Sequence, residues 1–342
     1  MRNKQVLPMN LVWTILRICV IVPFPVSGTV GQANQTPAGT MRQAQDDAWW
    51  TGPLLAPSAS TLSRGHFLIE TYLYDVTVQG HFDSKGVRRS SPYSDGFGSL
   101  IYILYGVTSK MTVGLIPVAG YNRISVGPSS SGIGIADLTV QAQYRLTKFH
   151  EGSWIPTTSF TVQETLPTGK YDRLGNRPGD GFGNGAYTTT FAFYTQTYFW
   201  LPNGRILRMR FNISEGFPSN VNLHDVSVYG TQTGFRGHAE PGRVLSINPA
   251  WEYSLTRSWV LAFDAAYRHQ GNTRVLGFNV FDPSGSTGTH PDSGPSRTFG
   301  LAPAVEYSWK PNLGVIFGVR IIPVGRNSDA TISPAVAINY VH

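Results

Sequence analysis

The sequence predicts an all-β protein, a closed antiparallel transmembrane β-barrel of about 12 strands with short periplasmic turns and long extracellular loops. Three observations predict it. Charged residues make up only 14% of the 342 residues while aromatics reach 12%, too little charge to solvate a soluble surface of this size. Beyond the N-terminus, no apolar run approaches the roughly 18 residues that a transmembrane helix needs. Segments of roughly ten to thirteen residues instead alternate polar and apolar side chains, the period of strands whose two faces meet different surroundings. A mean hydropathy of −0.12 fits this pattern, because lipid-facing residues are diluted by the interior ones between them.

Residues 1–33 read as a cleaved signal peptide. Arg2 and Lys4 supply its basic start, Leu11 to Val22 its apolar run, and Gly31-Gln32-Ala33 its small-residue cleavage site. Arg17, Pro23 and Pro25 disfavour a retained anchor. Cys19 is the only cysteine and departs with this leader, so the mature chain forms no disulfide and no thiolate metal site. Loss of Arg2, Lys4 and Arg17 lowers the formal charge from +7 to +4. The remaining Lys and Arg are scattered, with Arg88-Arg89 the one adjacent pair, which gives nucleic acid no basic patch to bind.

Residues 34–65 read as a periplasmic N-terminal arm, polar and Pro/Ser-rich around Trp49-Trp50-Thr51-Gly52-Pro53. Folded into the barrel mouth, Trp49 and Trp50 make it a candidate plug. Residues 66–342 are the outer-membrane barrel. Its strands are expected near 67–78, 97–107, 111–121, 133–146, 154–166, 186–200, 205–214, 243–255, 259–269, 298–309, 313–324 and 329–341. Alternation is clearest where Trp259, Leu261, Phe263 and Ala265 oppose Val260, Ala262, Asp264 and Ala266. Tight links such as Thr108-Ser109-Lys110 and Pro202-Asn203-Gly204 take turns with long polar loops near 79–96, 167–185, 215–242 and 270–297. That asymmetry separates a membrane barrel from a soluble sandwich, and the even strand count leaves both termini in the periplasm. Pro117, Pro249 and Pro303 each remove a ladder donor, so bulges or bends are expected there. In the last strand Pro334, Val336, Ile338, Tyr340 and His342 share one face. The arrangement is similar to the C-terminal signal read by the barrel-assembly machinery, with histidine in place of the terminal phenylalanine.

Several motifs carry a resemblance. Trp50-Thr51-Gly52-Pro53, Tyr105-Gly106-Val107-Thr108, Gln143-Tyr144-Arg145-Leu146, Leu166-Pro167-Thr168-Gly169-Lys170-Tyr171 and Gly181-Phe182-Gly183-Asn184-Gly185 follow one another in order. With them stands Gly132-Ile133-Gly134-Ile135-Ala136-Asp137-Leu138-Thr139, where Ile135-Ala136 separates the glycine from the aspartate. Together they resemble the phenol meta-pathway outer-membrane protein family, barrels encoded beside aromatic-degradation genes. What the resemblance implies is passage of small hydrophobic or aromatic compounds across the outer membrane.

If the apolar faces meet lipid, the opposite faces send Asp137, Gln141, Gln143, Arg145, Arg208, Arg210, Glu252, Asp264, Arg268, Glu306 and Arg320 into the lumen. Charges of both signs in so narrow a barrel either fill it with ion pairs or define a constriction that selects solutes, and the residues alone leave both open. Gly179 to Gly185 lacks the Lys-Ser/Thr pair of a phosphate loop and the acidic ligands of a calcium loop, so it reads as a mobile extracellular loop. The eight histidines show no convergent spacing, and neither metal nor cofactor is expected. Tyr194-Thr195-Gln196 and Asn203-Gly204-Arg205 echo a barrel phospholipase, but Leu201-Pro202 stands where its His-x-Ser would be. The expected function is therefore a non-enzymatic channel, monomeric, with membrane lipid and a small hydrophobic solute as partners. A structural or lipid-interacting barrel without transport is the alternative, and an outer-membrane lipid hydrolase a second.

Overall fold

The computed structural model describes residues 42–124, 127–282, 289–290 and 293–342. The leader assigned to residues 1–33 lies outside the described residues. Twelve long strands follow one another in an up-and-down meander: β1 (Phe67–Phe82), β2 (Ser94–Thr108), β3 (Met111–Ile116 continued as Val118–Ile124), β4 (Leu138–Thr147), β5 (Thr157–Leu166) and β6 (Thr188–Trp200) make the first half. The second half is β7 (Ile206–Pro218), β8 (Val244–Ser254), β9 (Trp259–Gln270), β10 (Ser296–Lys310), β11 (Leu313–Arg326) and β12 (Ser328–Val341). Each pairs antiparallel with its chain neighbours, and β1 pairs with both β2 and β12, so the sheet closes and the barrel wall keeps no free edge.

The alternation has its expected physical outcome. Leu73, Phe97, Phe160, Phe191, Phe211 and Phe317 stand exposed on the outer face, where only lipid would solvate so continuous an apolar band. Near the short-turn end Trp259, Tyr307 and Trp309 cluster, with ring centroids 4.6 and 5.3 Å apart, and Phe67 meets Tyr340 edge-on. His342 stacks on Phe67 at 5.1 Å with 7° between the planes, so a flat ring still closes the seam between the first and last strands.

The prolines behave differently from one another. Pro117 divides β3, and its carbonyl still accepts from Ile101 N. At Pro249 the register with β9 is kept on both sides. There the Asn248 side-chain amide donates to Ala265 O at 3.0 Å, where the imide nitrogen has no hydrogen to offer. Pro303 carries no bulge; the two register shifts in that strand pair fall at Phe299/Leu301 and Ser308/Lys310 instead. The final link is shorter than the others, with Asn327 alone joining β11 to β12 at a left-handed φ of 45°, a conformation asparagine tolerates.

At the long-loop end, the segments expected to be plain polar loops build a second, four-stranded antiparallel sheet from Val221–His224, Phe235–Glu240, Arg274–Asn279 and Thr289–His290. It has its own small core of Val221, Leu223, Phe235, Ala239 and Val275 packed with Ala186. The Gly179–Gly185 stretch, expected to be mobile, is instead tied down beside it: Phe182 N and Gly183 N both donate to Lys170 O, and the Phe182 ring lies against Gly134.

Candidate functional site

The described part of the arm, residues 42–65, runs inside the barrel, and along its deeper stretch wall side chains hydrogen-bond its backbone. Irregular backbone needs such partners wherever water is excluded. It begins at the short-turn end, where Gln43 N donates to Gly204 O and Trp200 Nε1 donates to Gln43 O. It climbs to Thr51 and Gly52, whose N–H groups donate to Glu306 Oε2 at 2.7 and 2.9 Å. Gly52 adopts a φ of +119°, a conformation glycine takes without penalty. The deepest point is Leu55 and Ala56, which donate to the Asp264 carboxylate at 3.2 and 3.0 Å. The chain then returns to the same end. Ala56 O accepts from Arg210, Pro57 O from Asn212, Ser58 O from Gln143, and Thr112 Oγ1 receives Leu62 N.

Leu54 anchors the climb by apolar contact. It fits a socket of Ala262, Ala302, Ala304, Ala337 and Ile316, where the small wall residues leave room for one large arm residue. Burying a leucine so contributes about 1.5–3 kcal/mol. Gly314 serves the same purpose lower down, since a Cβ there would lie 2.4 Å from Thr51 Oγ1.

The charged residues of β7 to β10 come together beneath this path. Arg208 grips Glu252 with a bidentate pair, Arg210 Nε stands 3.0 Å from the same carboxylate, and Glu306 and Asp264 hold the arm. All five are buried. Trp50 covers the group: the Arg208 guanidinium lies 4.4 Å from its ring centroid, and Tyr198 sits 6.4 Å away on another side. Trp49 stays nearer the mouth, over Arg257 at 4.9 Å.

The other residues expected in the lumen divide. Gln143 donates to Ser58 O and Ser159 Oγ, and Gln141 accepts from Gln163. Arg145 is half-buried near the short-turn end, its N–H donating to Lys110 O. Arg320 lines the cavity above Leu54 and Leu55, and Arg268 lines a second cavity farther round the wall. Asp137 lies apart from all of these, one residue before β4. Its carboxylate accepts from Gly169 N at 2.9 Å and Asn184 N at 2.6 Å, so it fastens a long loop instead of facing the passage.

Periodicity overlooked a second wall. Leu68, Glu70, Tyr72, Tyr102, Leu104 and Asn339 line a cavity of about 210 Å³ beside the arm. Tyr72, Tyr74, Val76, Leu100 and Tyr102 line another of about 330 Å³ above it, floored by Leu54 and Leu55. Tyr72 and Tyr102 meet edge-on at 6.1 Å, and the Tyr74 ring lies flat on Gly98. In β1 and β2 both faces are largely apolar, so alternation carries no contrast. Glu70, a carboxylate between Ile69 and Thr71, signals the inward parity, but Asp75 on the opposite parity of the same strand cancels that signal. A further cavity of about 330 Å³ opens on the opposite side, lined by polar groups including Thr190, Ser214, Ser246 and Arg268.

Among known proteins, a family model described as "Putative MetA-pathway of phenol degradation" matches residues 73–327. The chain belongs to this family. No curated protein matches the sequence. Among solved structures, an outer-membrane channel from Pseudomonas putida F1 superposes with a TM-score of 0.64 at 14% identity, over 84% of this chain and 100% of that one. The family member described here therefore has the fold of an outer-membrane channel. The translocator domain of the autotransporter NalP from Neisseria meningitidis (TM-score 0.40, 13% identity, 82% of this chain and 89% of that one) is less alike. So is the monoaromatic hydrocarbon channel CymD (0.38, 11%, 82% and 89%). Scores that low do not bear on the fold.

Proposed function

We propose that this protein is a channel of the bacterial outer membrane for small hydrophobic or aromatic compounds, with the N-terminal arm as its plug. The observation that carries the reading is the division of the lumen: an arm fastened in the short-turn half, and above it a cavity of about 330 Å³ walled by Tyr72, Tyr74, Tyr102, Val76 and Leu100. Pockets of about 300–1,000 Å³ with apolar, aromatic walls are what small-molecule sites look like. The family match supports an aromatic solute. In this reading residues 1–33 direct export and are removed, the short turns face the periplasm, and the long loops face outward. The exposed belt contacts membrane lipid, and β12 with its stacked His342 engages the barrel-assembly machinery. The protein acts as a monomer, without enzymatic chemistry.

Purified protein in liposomes should raise permeability to benzyl alcohol and similar aromatics. No change, with folding confirmed by heat-modifiable migration on a gel, rejects the channel. Deletion of residues 34–60 should raise that flux severalfold, and unchanged flux rejects the plug.

A second reading draws on the buried cluster in which Arg208 and Arg210 share Glu252, which favours a structural barrel closed by its own ion pairs. Replacing Arg208, Arg210, Asp264 and Arg268 by alanine separates the two. Loss of folding with no altered solute preference among folded molecules favours the structural barrel, and altered preference favours the channel.

A further inference from the structure

We infer that the cavity above the arm is a binding site for aromatic acids, a ring bearing a carboxylate, rather than for unsubstituted aromatic hydrocarbons. The inference rests on the channel reading and names its substrate class. One side of the cavity is aromatic: Tyr72, Tyr74 and Tyr102, with Val76, Leu100 and the arm's Leu54 and Leu55. Tyr72 and Tyr102 are set edge-to-face, an arrangement that offers a third ring both a face and an edge to pack on. The other side carries Arg320, with Ser333 directly across the β11–β12 ladder from it.

Arg320 is the unusual component. Its Nε is buried and hydrogen-bonded to nothing among the described residues, and among those residues no carboxylate stands within ion-pair distance of it. The charged groups that act on it are Arg268 and Asp264. Arg268 adds like charge, and Asp264 is occupied by Leu55 N, Ala56 N and Asn248. Lower in the same barrel the arginines are treated differently, Arg208 and Arg210 sharing Glu252. A guanidinium left without a counter-ion in a partly dry cavity costs folding free energy that an anion would return. Its planar fork of donors matches a carboxylate held by two parallel N–H···O bonds. A carboxylate on Arg320 and Ser333 would leave its ring facing the tyrosines, since both groups line one cavity.

The test is calorimetric titration of folded full-length protein in detergent micelles at neutral pH with benzoate and with benzyl alcohol, two probes of similar shape that differ in charge. Benzoate should bind at least about tenfold more tightly, the worth of one charge-assisted hydrogen bond. Arg320→Gln should bring the ratio of the two affinities to about one, Arg320→Lys should retain part of the preference, and Ser333→Ala should reduce it by a few fold. Equal affinities in the native protein, binding of neither probe, or a ratio that survives in R320Q overturns the inference. If benzyl alcohol still crosses liposomes while benzoate shows no advantage, the acid site fails and the channel stands. If no aromatic crosses, the channel itself fails.

Discussion

The two walls of the lumen solve opposite problems. Along β7 to β10 the interior face carries Arg208, Arg210, Asn212, Glu252, Asp264 and Glu306, each residue bonded to another of them or to the arm. Along β1 and β2 it carries Leu68, Tyr72, Tyr74, Leu100, Tyr102 and Leu104, which touch cavities instead. The polar wall holds the arm in one geometry because hydrogen bonds are directional. The aromatic wall leaves room because apolar contact is not. In the proposed channel the two walls would divide the work, one fastening the arm and the other giving a ring a surface along which to slide.

The largest effect should come from the polar wall. Glu252→Gln leaves Arg208 and Arg210 sharing no carboxylate and should cost about 3–5 kcal/mol of barrel stability, read by urea unfolding on heat-modifiability gels. A loss below about 1 kcal/mol would mean the cluster is no framework and would erase the contrast between the walls. Next is the arm itself. Leu54→Ala empties the alanine socket and should weaken arm docking by about 2–4 kcal/mol, detected as faster proteolysis within residues 42–65 and higher aromatic flux. The aromatic wall should respond more gently. Tyr102→Ala should leave the fold intact and lower permeation of aromatics relative to equally sized aliphatics by a few fold, as expected for loss of one ring contact of about 0.5–1.5 kcal/mol.

The smallest effect lies outside the membrane. In the outer sheet Asp225 accepts from Gly234 N and from Arg236, and these bonds hold its carboxyl below the usual carboxylate range. A depressed value means the contribution is fully present above the unfolded-state value near 3.8 and is lost as pH falls through the lower folded one. Acidification below about pH 4 should therefore loosen the outer loops to protease before the barrel wall responds. Asp225→Asn should reproduce that sensitivity at neutral pH, and loops equally resistant in both conditions would remove Asp225 as their clasp.

The polar wall was legible because it sits opposite a strongly apolar outer face. Asp264 between Phe263 and Ala265, or Glu306 between Val305 and Tyr307, announces its direction. The aromatic wall was not, since a tyrosine suits a lumen and a lipid interface equally well and period-two patterning cannot tell which face it takes. Short turns and strand positions followed from the same alternation. The outer sheet escaped notice because its strands are short and polar, and what makes them a sheet is packing between distant loops around Leu223 and Phe235. The arm's route is likewise tertiary. Nothing in Trp49 to Pro57 encodes that Glu306 and Asp264, far along the chain, supply its hydrogen bonds.

That route has a topological consequence. From Gln43 at the Leu201–Arg205 turn to its deepest contacts at Asp264 and back to Gly65, which bonds Gly106, the described arm goes in and comes out by one mouth. Its path is a hairpin held near one mouth, not a thread through a needle. It can dock after the wall has closed, and it can withdraw and reseat without unzipping a single pair of strands.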